Sequence, residues 1–536
     1  MRALLILLVM KILESSRFNL NDGSVPRAHY DALSLALVAG VLVFFFLEKY
    51  PLANKLEARI EAAIASRRPL TLALDILVAA LFLYETWRYA DILYFYPICC
   101  LRSDMLPMVR GATEHLAALS NPFDKTYCPW NIPFTYLPMM MTFFLPAVLL
   151  RFDLRFISFL FFLLTLFLIF RHHRENGRPL GGFLIVLIMI SSPLLQLFIL
   201  DVQDFPFLFV ITLALYMFAR GKYIPFAFCL ALALATRQIF AVLLPFFVIT
   251  GWKANRVRIP VIGAFSAGLL AGFFPALLFP QSFILNLARS YQHLSSPPRI
   301  GRFLVHSLGL SYYFSDHQWL ATLMSIIFLF SLYIAAIKYL RERNLWLFLA
   351  LGLFSFLFFT RYALRPEEYY YLPLFAIVSI VPLREVPGAS RSRAARRFLL
   401  TGMMVLCLLL VFFFPFLSGR NYRLIHLTDG PRTPRSKILA PDGRMEFFLI
   451  AVAPGLWSQD LELLIRRLEP ERKDLPVAVN IRINDKDAFR AEARGQKLWV
   501  STRQHDLKKY LFWGANGFEI SLDEPEAFEL KASWSR

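Results

Sequence analysis

Acidic residues are scarce in this sequence, and so is charge of either sign. Asp and Glu number 38 against 57 Lys and Arg, and charged residues fill 18% of the 536 positions, below the roughly one quarter usual in a soluble globular chain. So little charge cannot solvate a chain that is 57% hydrophobic and 16% aromatic, which excludes an ordinary water-soluble domain over the whole length. Five cysteines cannot staple a fold of this size. Cys99, Cys100 and Cys128 share one interval, where they either form a single bridge facing an oxidising compartment or stand as unpaired apolar residues. No heptad array, tandem repeat or inverted half-symmetry is visible. After Leu417 there is no apolar run long enough to cross a bilayer, which places a domain boundary at Ser418.

What is present, up to that boundary, is a succession of apolar runs: 32–48, 70–84, 134–150, 156–170, 180–200, 205–219, 223–250, 259–280, 318–340, 345–360, 371–383 and 398–417. A helix needs about 20 such residues to cross roughly 30 Å of hydrocarbon, so about ten to thirteen transmembrane helices are expected. The implied fold class is an all-α polytopic membrane protein with a C-terminal all-β, jelly-roll-like soluble domain. Its parts are an N-terminal segment with one membrane helix and a basic loop (1–69), a transmembrane core (70–417) with a long first outer loop (85–133), and an extracytoplasmic β-sandwich (418–536). The formal net charge of +19 is explained by Lys and Arg gathered between apolar runs on the cytoplasmic side. The bilayer is therefore the expected partner, and nucleic acid is not.

The basic stretches 49–69, 171–178, 220–222, 253–258, 341–343 and 384–397 are assigned to the inside; 85–133, 201–204, 281–317, 361–370 and the C-terminal domain then face out. Two places resist this bookkeeping. Residues 134–170 hold two apolar segments, yet they must join an outer loop to Arg171-His172-His173-Arg174, so either one segment is not a full span or one basic loop lies outside. The run 223–250 is interrupted by Thr236-Arg237-Gln238 and reads as two short helices meeting near the outer surface, or as one tilted span. Met1–Leu13 is too short to cross, and without a small-residue cleavage site it does not read as a cleaved signal peptide.

The loop 85–133 is too long for a mere connector. Its order of residues is Asp104 just after an apolar run, an amphipathic stretch containing Gly111, then Asn121-Pro122-Phe123, then Tyr136-Leu137-Pro138 opening the next helix. This order resembles the polyprenol-phosphate-sugar-dependent glycosyltransferases of the C superfamily, mannosyltransferases among them. Gln203-Asp204 resembles that family's Gly-Gln-polar turn, with Val202 in place of the glycine, and Arg237 resembles its basic residue after a small-residue-rich helix. The family's paired acidic residues are here reduced to Asp104, preceded by Arg102 and Ser103, so no cofactor is required; a divalent metal is compatible with the sequence.

The resemblance implies transfer of a sugar from a polyprenyl-phosphate-sugar donor to a glycan, lipid or protein acceptor. Asp104 is the candidate general base for the acceptor hydroxyl. Arg237, Arg361 and Arg365 are candidates to hold the donor phosphate as its charge grows. Asn121, Tyr136, Gln203, Asp204, His293, Glu367 and Tyr369 are candidate substrate contacts from the outer loops, with 281–317 able to close over both substrates. The stretch 361–370 reads equally as an interfacial belt of tyrosines and arginines. In the C-terminal domain, Ala478–Ile483 and Phe518–Leu522 alternate as half-buried strands, while Asn484-Asp485-Lys486 and Gly514-Ala515-Asn516-Gly517 read as turns. Trp499 and Trp513 are either a sugar platform or core. A bacterial inner membrane with a periplasmic site is the expected setting. The alternatives are a lipid-linked sugar transporter or flippase, which would place charges within spans, and an oligosaccharide polymerase or ligase.

Overall fold

The computed structural model describes residues 2–16, 26–49, 51–95, 98, 105–127, 131–201, 204–294, 308, 313, 318–359, 371–380 and 406–407, and in the C-terminal part 425–426, 438–440, 444–451, 460–467, 477–484, 486–493, 497–501, 507–511, 514–523 and 528–535. The first half opens with helices α1 (Arg2–Glu14), α2 (Arg27–Lys49), α3 (Pro51–Ser66), α4 (Arg68–Phe95) and α5 (Met105–Ala117). A two-stranded hairpin, β1 (Thr126–Tyr127) with β2 (Ile132–Pro133), leads into α6 (Met139–Leu149) and α7 (Arg155–Glu175). Then follow α8 (Pro179–Ser191), α9 (Pro193–Asp201), α10 (Phe205–Ala219), α11 (Tyr223–Thr236), a 3-10 turn (Gln238–Leu243), α12 (Leu244–Lys253), α13 (Ile259–Leu278) and α14 (Pro280–Leu294). The described helices end with α15 (Gln318–Tyr339), α16 (Glu342–Phe359) and α17 (Leu372–Ile380).

Local sequence explains many of these boundaries. Proline in the first turn of α8, α10, α12 and α13 costs no hydrogen bond, because the first N–H groups of a helix have no partner within it. Gly177 and Gly221, at φ of +72° and +67°, take the left-handed conformation that ends α7 and α10 and turns the chain into the next helix.

Among the described residues, four helices are long and apolar enough to cross a membrane: Arg68–Ala90, Arg155–Glu175, Ile259–Leu278 and Thr322–Tyr339. A fifth arises if α8 and α9, bent by 64° at Ser192-Pro193, count as one span. Five further apolar helices are shorter. Among the described residues this is fewer than the ten to thirteen expected, and 398–417 lies almost wholly outside them. The long apolar helices are compatible with an integral membrane protein.

The helix pair α4 and α7 gives the fold a ruler. At one end Arg174 Nε and Nη2 meet Asp75 Oδ1 and Oδ2 at 3.0 and 3.3 Å. At the other, Arg155 Nη2 approaches Leu93 O at 3.4 Å. From Asp75 to Leu93 is 18 residues, about 27 Å of helix at 1.5 Å each, close to the roughly 30 Å of a hydrocarbon core. The parity problem at 134–170 resolves within this frame. Helix α6 has 11 residues, about 16 Å, so it is not a full span, and α7 starts at the end of the bundle where α4 stops. The basic run Arg171–Arg174 is the last turn of α7 rather than a loop.

Three other assignments change. Residues 85–95 belong to α4, so the interval expected as the first outer loop is shorter by those residues, and it contains α5 and the β1–β2 hairpin. The basic loop 49–69 is mostly helix α3, and the start of 281–317 is helix α14. The break at Arg237 is present, as two short helices joined by the 3-10 turn.

The C-terminal part folds into two antiparallel sheets. One has the order β3 (Ile425–His426), β5 (Arg444–Ala451), β10 (Gly514–Leu522), β7 (Val477–Ile483), β8 (Lys486–Ala493); the other runs β4 (Ile438–Ala440), β11 (Phe528–Ser535), β6 (Asp460–Arg467), β9 (Lys497–Ser501). Strand β7 alternates buried and half-buried residues along its whole length, the period-2 signature of one face against a core. Val479, Ile481, Phe518 and Ile520 from the first sheet share one buried cluster with Leu463, Ile465, Phe528 and Leu530 from the second. Gly514–Gly517 is not a turn but the start of β10, registered on β5. The turn residue is Asn484, at φ +53°, whose side chain donates to Tyr510 O and Asn516 Oδ1 at 2.7 and 2.9 Å and accepts from Gly517 N at 3.0 Å. Buried Asn516 thus serves as the partner of a turn instead of forming one.

Candidate functional site

Three of the residues singled out in the sequence converge where the helices are interrupted. Asp204 stands at the N-cap of α10 but does not cap its own helix; its oxygens instead receive Arg237 Nε and Nη2 at 2.9 and 2.6 Å. Arg237 is extended, at φ −142° and ψ 118°, between α11 and the 3-10 turn, so the helical hydrogen-bond ladder is open there. Its guanidinium lies 4.8 Å from the centroid of the Tyr136 ring, within cation–π range. Both charged side chains are buried, at 1% and 8% exposure. A two-point fork between guanidinium and carboxylate is among the strongest hydrogen-bonded pairings available to side chains.

Close helix packing sets the position of Arg237. A Cβ on Gly272 would lie 2.3 Å from Ala235 Cβ, and one on Gly268 2.6 Å from Phe228 O. Gly268 and Gly272, four apart on α13, let its backbone press against α11, as small-xxx-small pairs do in membrane helices. Arg237 follows directly on that contact.

A second layer braces Tyr136. Its ring packs edge-on to Phe134 at 5.7 Å, Phe134 meets Phe123 at 6.4 Å, and Phe123 meets Phe283 of α14 at 5.3 Å. Asn286 Nδ2 and Ser290 Oγ, also on α14, donate to Phe134 O at 2.6 and 3.1 Å. Asn121 accepts from Phe123 N at 3.0 Å and donates to Ser282 Oγ at 2.8 Å, with Asp124 beside it. Tyr127 OH donates to Pro122 O at 2.6 Å, and a Cβ on Gly111 would lie 2.8 Å from Tyr127 Cδ1. The stretch from Gly111 to Tyr136 is therefore one packed unit of α5, hairpin and α14. His115 of α5 shares a 2.9 Å hydrogen bond with Ser120 Oγ, and burial, then nearby Lys125, push its pKa down. Lys486, in the β7–β8 hairpin, forms an ion pair with Glu114 on α5, which joins the C-terminal sandwich to this unit.

The structure thus brings Tyr136, Asp204 and Arg237 together, with Asn121 in the adjoining unit. Asp104, Gln203, Arg361, Arg365, Glu367 and Tyr369 lie outside the described residues. So does the side chain of His293, whose backbone is in α14, as do Cys99, Cys100, Cys128 and Trp513 and the side chain of Trp499. Among the described residues no three His, Cys, Asp or Glu gather as a metal-holding group.

Besides Asp75–Arg174, two further buried charge pairs among the described residues were not anticipated. Arg155 is fully buried and grips Asp153 through Nε at 2.9 Å and Nη2 at 2.6 Å. The signal was Asp-Leu-Arg between two apolar runs, a charge pair too close in sequence to be a simple solvent loop. The other lies within the span of α4, where Glu85 pairs with Arg88. Arg88 Nη2 donates at 2.8 Å to Ile190 O, just before the bend at Pro193. Ser192 Oγ, at the same bend, donates at 2.6 Å to Glu14 Oε1 of α1. A proline supplies no N–H and a bend frees carbonyls of the preceding turn; Arg88 satisfies one of them. Assigning residue 85 to a loop had hidden this pair.

No family model, no curated protein and no solved structure matches the chain.

Proposed function

We propose that the chain is an integral membrane glycosyltransferase that moves a sugar from a polyprenyl-phosphate donor to an acceptor on the outer face, with the reacting groups near Tyr136, Asp204 and Arg237. The observation that carries this reading is the meeting of residues from three separated motifs, 136, 204 and 237, at interrupted helices beneath the α5–hairpin–α14 layer. A buried arginine fixed by a carboxylate is an oriented cation suited to a lipid phosphate whose charge grows as the sugar leaves. Asp104, adjoining the first residue of α5, is the proposed general base; Arg361 and Arg365 are further proposed phosphate ligands. Ten to thirteen crossings, counting the short apolar helices other than α6 together with 398–417, and a periplasmic outer face in a bacterial inner membrane belong to the same proposal. The sheet orders β5-β10-β7-β8 and β4-β11-β6-β9 support a jelly-roll sandwich, and its Lys486 ion pair with Glu114 supports a role in presenting the acceptor.

The test is transfer of labelled sugar from synthetic polyprenyl-phosphate donors by the purified protein, comparing wild type with Asp104→Asn and Arg237→Gln. The expected result is loss of transfer in Asp104→Asn with donor binding intact, and weakened donor binding in Arg237→Gln. The reading fails if no donor is consumed by the wild type.

A second reading, a transporter of lipid-linked sugars, draws on Glu85, Arg88 and Glu14 around the broken α8–α9 helix, because ionisable groups inside spans mark substrate pathways in carriers. Flux of a lipid-linked sugar in liposomes without transfer would favour it.

A further inference from the structure

Helix α3 separates its charges by sign. At 100° per residue, Lys55, Arg59, Ala63, Leu56 and Ile60 fall within one arc of about 140°. All five are exposed, Leu56 at 61% and Ile60 at 45%. Glu57 and Glu61 lie on the opposite side and face the protein. Glu61 Oε1 accepts from Gly181 N at 2.7 Å and its Oε2 from Leu180 N at 3.2 Å, while Glu57 pairs with Arg178 at 3.3 Å. Helix α8 has no side-chain cap of its own, so Glu61 supplies the missing acceptors to its first turn from 119 residues upstream.

The acidic groups of α3 thus face the bundle, and the outward face carries Lys55 and Arg59 along one side and Ala63, Leu56 and Ile60 along the other. Immediately after Ser66, the exposed Arg67 joins α3 to the exposed Arg68, which begins α4, the helix whose Arg68–Ala90 stretch qualifies as a span. A helix that hands directly to a span, at the end marked by the Asp75–Arg174 pair, lies at the edge of the hydrocarbon. An exposed arc with cations along one side and apolar side chains along the other is the pattern of a helix lying in the plane of a headgroup layer.

We propose that α3 is an interfacial helix that seats Leu56 and Ile60 in the leaflet where α4 begins, and that Lys55 and Arg59, with Arg67 and Arg68, select anionic lipid headgroups there. The inference rests on α4 being a membrane span and not on the proposed catalytic activity. Anionic lipid would clamp α3, and through Glu61 the first turn of α8, against the bundle. Each basic residue near an anionic surface contributes about fivefold to the preference for charged lipid.

The experiment uses the full-length protein with Cys99, Cys100 and Cys128 changed to serine and Ile60→Cys labelled with an environment-sensitive fluorophore, in nanodiscs of zwitterionic lipid with and without phosphatidylglycerol. Quenching by lipid carrying a shallow spin label and protection from aqueous iodide are read in each. The proposal expects spin-label quenching and iodide protection that rise with the anionic fraction. In Lys55→Gln/Arg59→Gln, whose substituted positions are exposed, the dependence on anionic lipid drops by about twentyfold or more. Iodide access in both lipids overturns the proposal. Protection from both quenchers overturns it as well, because protein would then cover the face, and quenching indifferent to lipid charge overturns the headgroup selection.

Discussion

Removing one partner of the Asp204–Arg237 pair is expected to cost far more than removing both. The two hydrogen bonds of 2.9 and 2.6 Å join groups at 1% and 8% exposure, where an unpaired charge has little water to turn to. Breaking a buried pair from one side typically costs about 3–5 kcal/mol, whereas replacing both partners with apolar residues of similar volume is often neutral or stabilising. Asp204→Ala should therefore destabilise by about 4 kcal/mol, and Arg237→Met by a similar amount, since it also removes the cation over Tyr136, worth about 0.5–2 kcal/mol. The double variant Asp204→Leu/Arg237→Met should be more stable than either single one. The coupling energy, read from reversible unfolding in mixed micelles titrated with SDS, is then about 3 kcal/mol or more. Additive losses of about 1 kcal/mol each would refute the pair as a buried unit. Function separates from stability at Arg237→Lys, which keeps the charge and loses the planar fork; donor KM should rise in it more than unfolding changes.

Glu61→Ala should loosen the first turn of α8 by about 1–2 kcal/mol, the usual worth of a capping acceptor, seen as faster amide exchange at Leu180 and Gly181. Burial is the largest influence on Glu61 and raises its pKa above the ordinary 4.5, against the lowering by the Gly181 and Leu180 amides. With a raised folded pKa, its contribution is complete below 4.5 and is lost as pH rises through the folded value. Acidification from neutrality should therefore tighten α3, and Glu61→Gln should flatten that dependence in unfolding measured against pH. Gly272→Leu should separate α11 from α13, cost about 1–3 kcal/mol and lower any activity that needs Arg237; Gly263→Leu, at a position with nothing within 4 Å, should do neither. Asp75→Asn should destabilise the α4–α7 pair without changing donor KM, because the Asp75–Arg174 ion pair lies at the opposite end from Leu93 and Arg155.

The apolar periods made the helical majority legible, and α10 starts and stops at the expected residues, because proline and glycine punctuate them. The interruption at Arg237 was legible for the same reason: a guanidinium amid an apolar run must be matched by something. What the sequence concealed was depth. Eleven residues of α6 and a full span look alike in an apolar run; the distinction lies in which partner each end meets, and those partners are 62 and 99 residues away in Arg155–Leu93 and Arg174–Asp75. Asn516 looked like a turn because Gly-x-Asn-Gly usually is one, yet a buried Asn paired to another Asn across the sheet outweighs that local preference. Glu85 and Arg88 looked like a loop because charge ended the apolar count, whereas their neighbour at the α8–α9 bend supplies the missing hydrogen-bond partner.

Depth also relates the two polar clusters to each other. Taking the Asp75–Arg174 end as the floor, Arg88 stands 13 residues up α4, about 20 Å. The bend of α8 comes 13 residues after its start, α10 reaches Asp204 about 15 residues above its own floor-side end, and α11 breaks at Arg237 after 14, each again about 20 Å. Three helices thus stop or bend about 20 Å from that end, two thirds of the roughly 30 Å of a hydrocarbon core, and buried charge sits beside each interruption. Irregular backbone survives at such a depth where protein or water satisfies it. Here Arg88 satisfies a freed carbonyl at one cluster, whereas at the other Arg237 itself occupies the break and is held by Asp204. The first arrangement repairs a helix; the second orients a cation beside an aromatic ring under a covering layer, and it is on that orientation that the proposed hold on a donor phosphate rests.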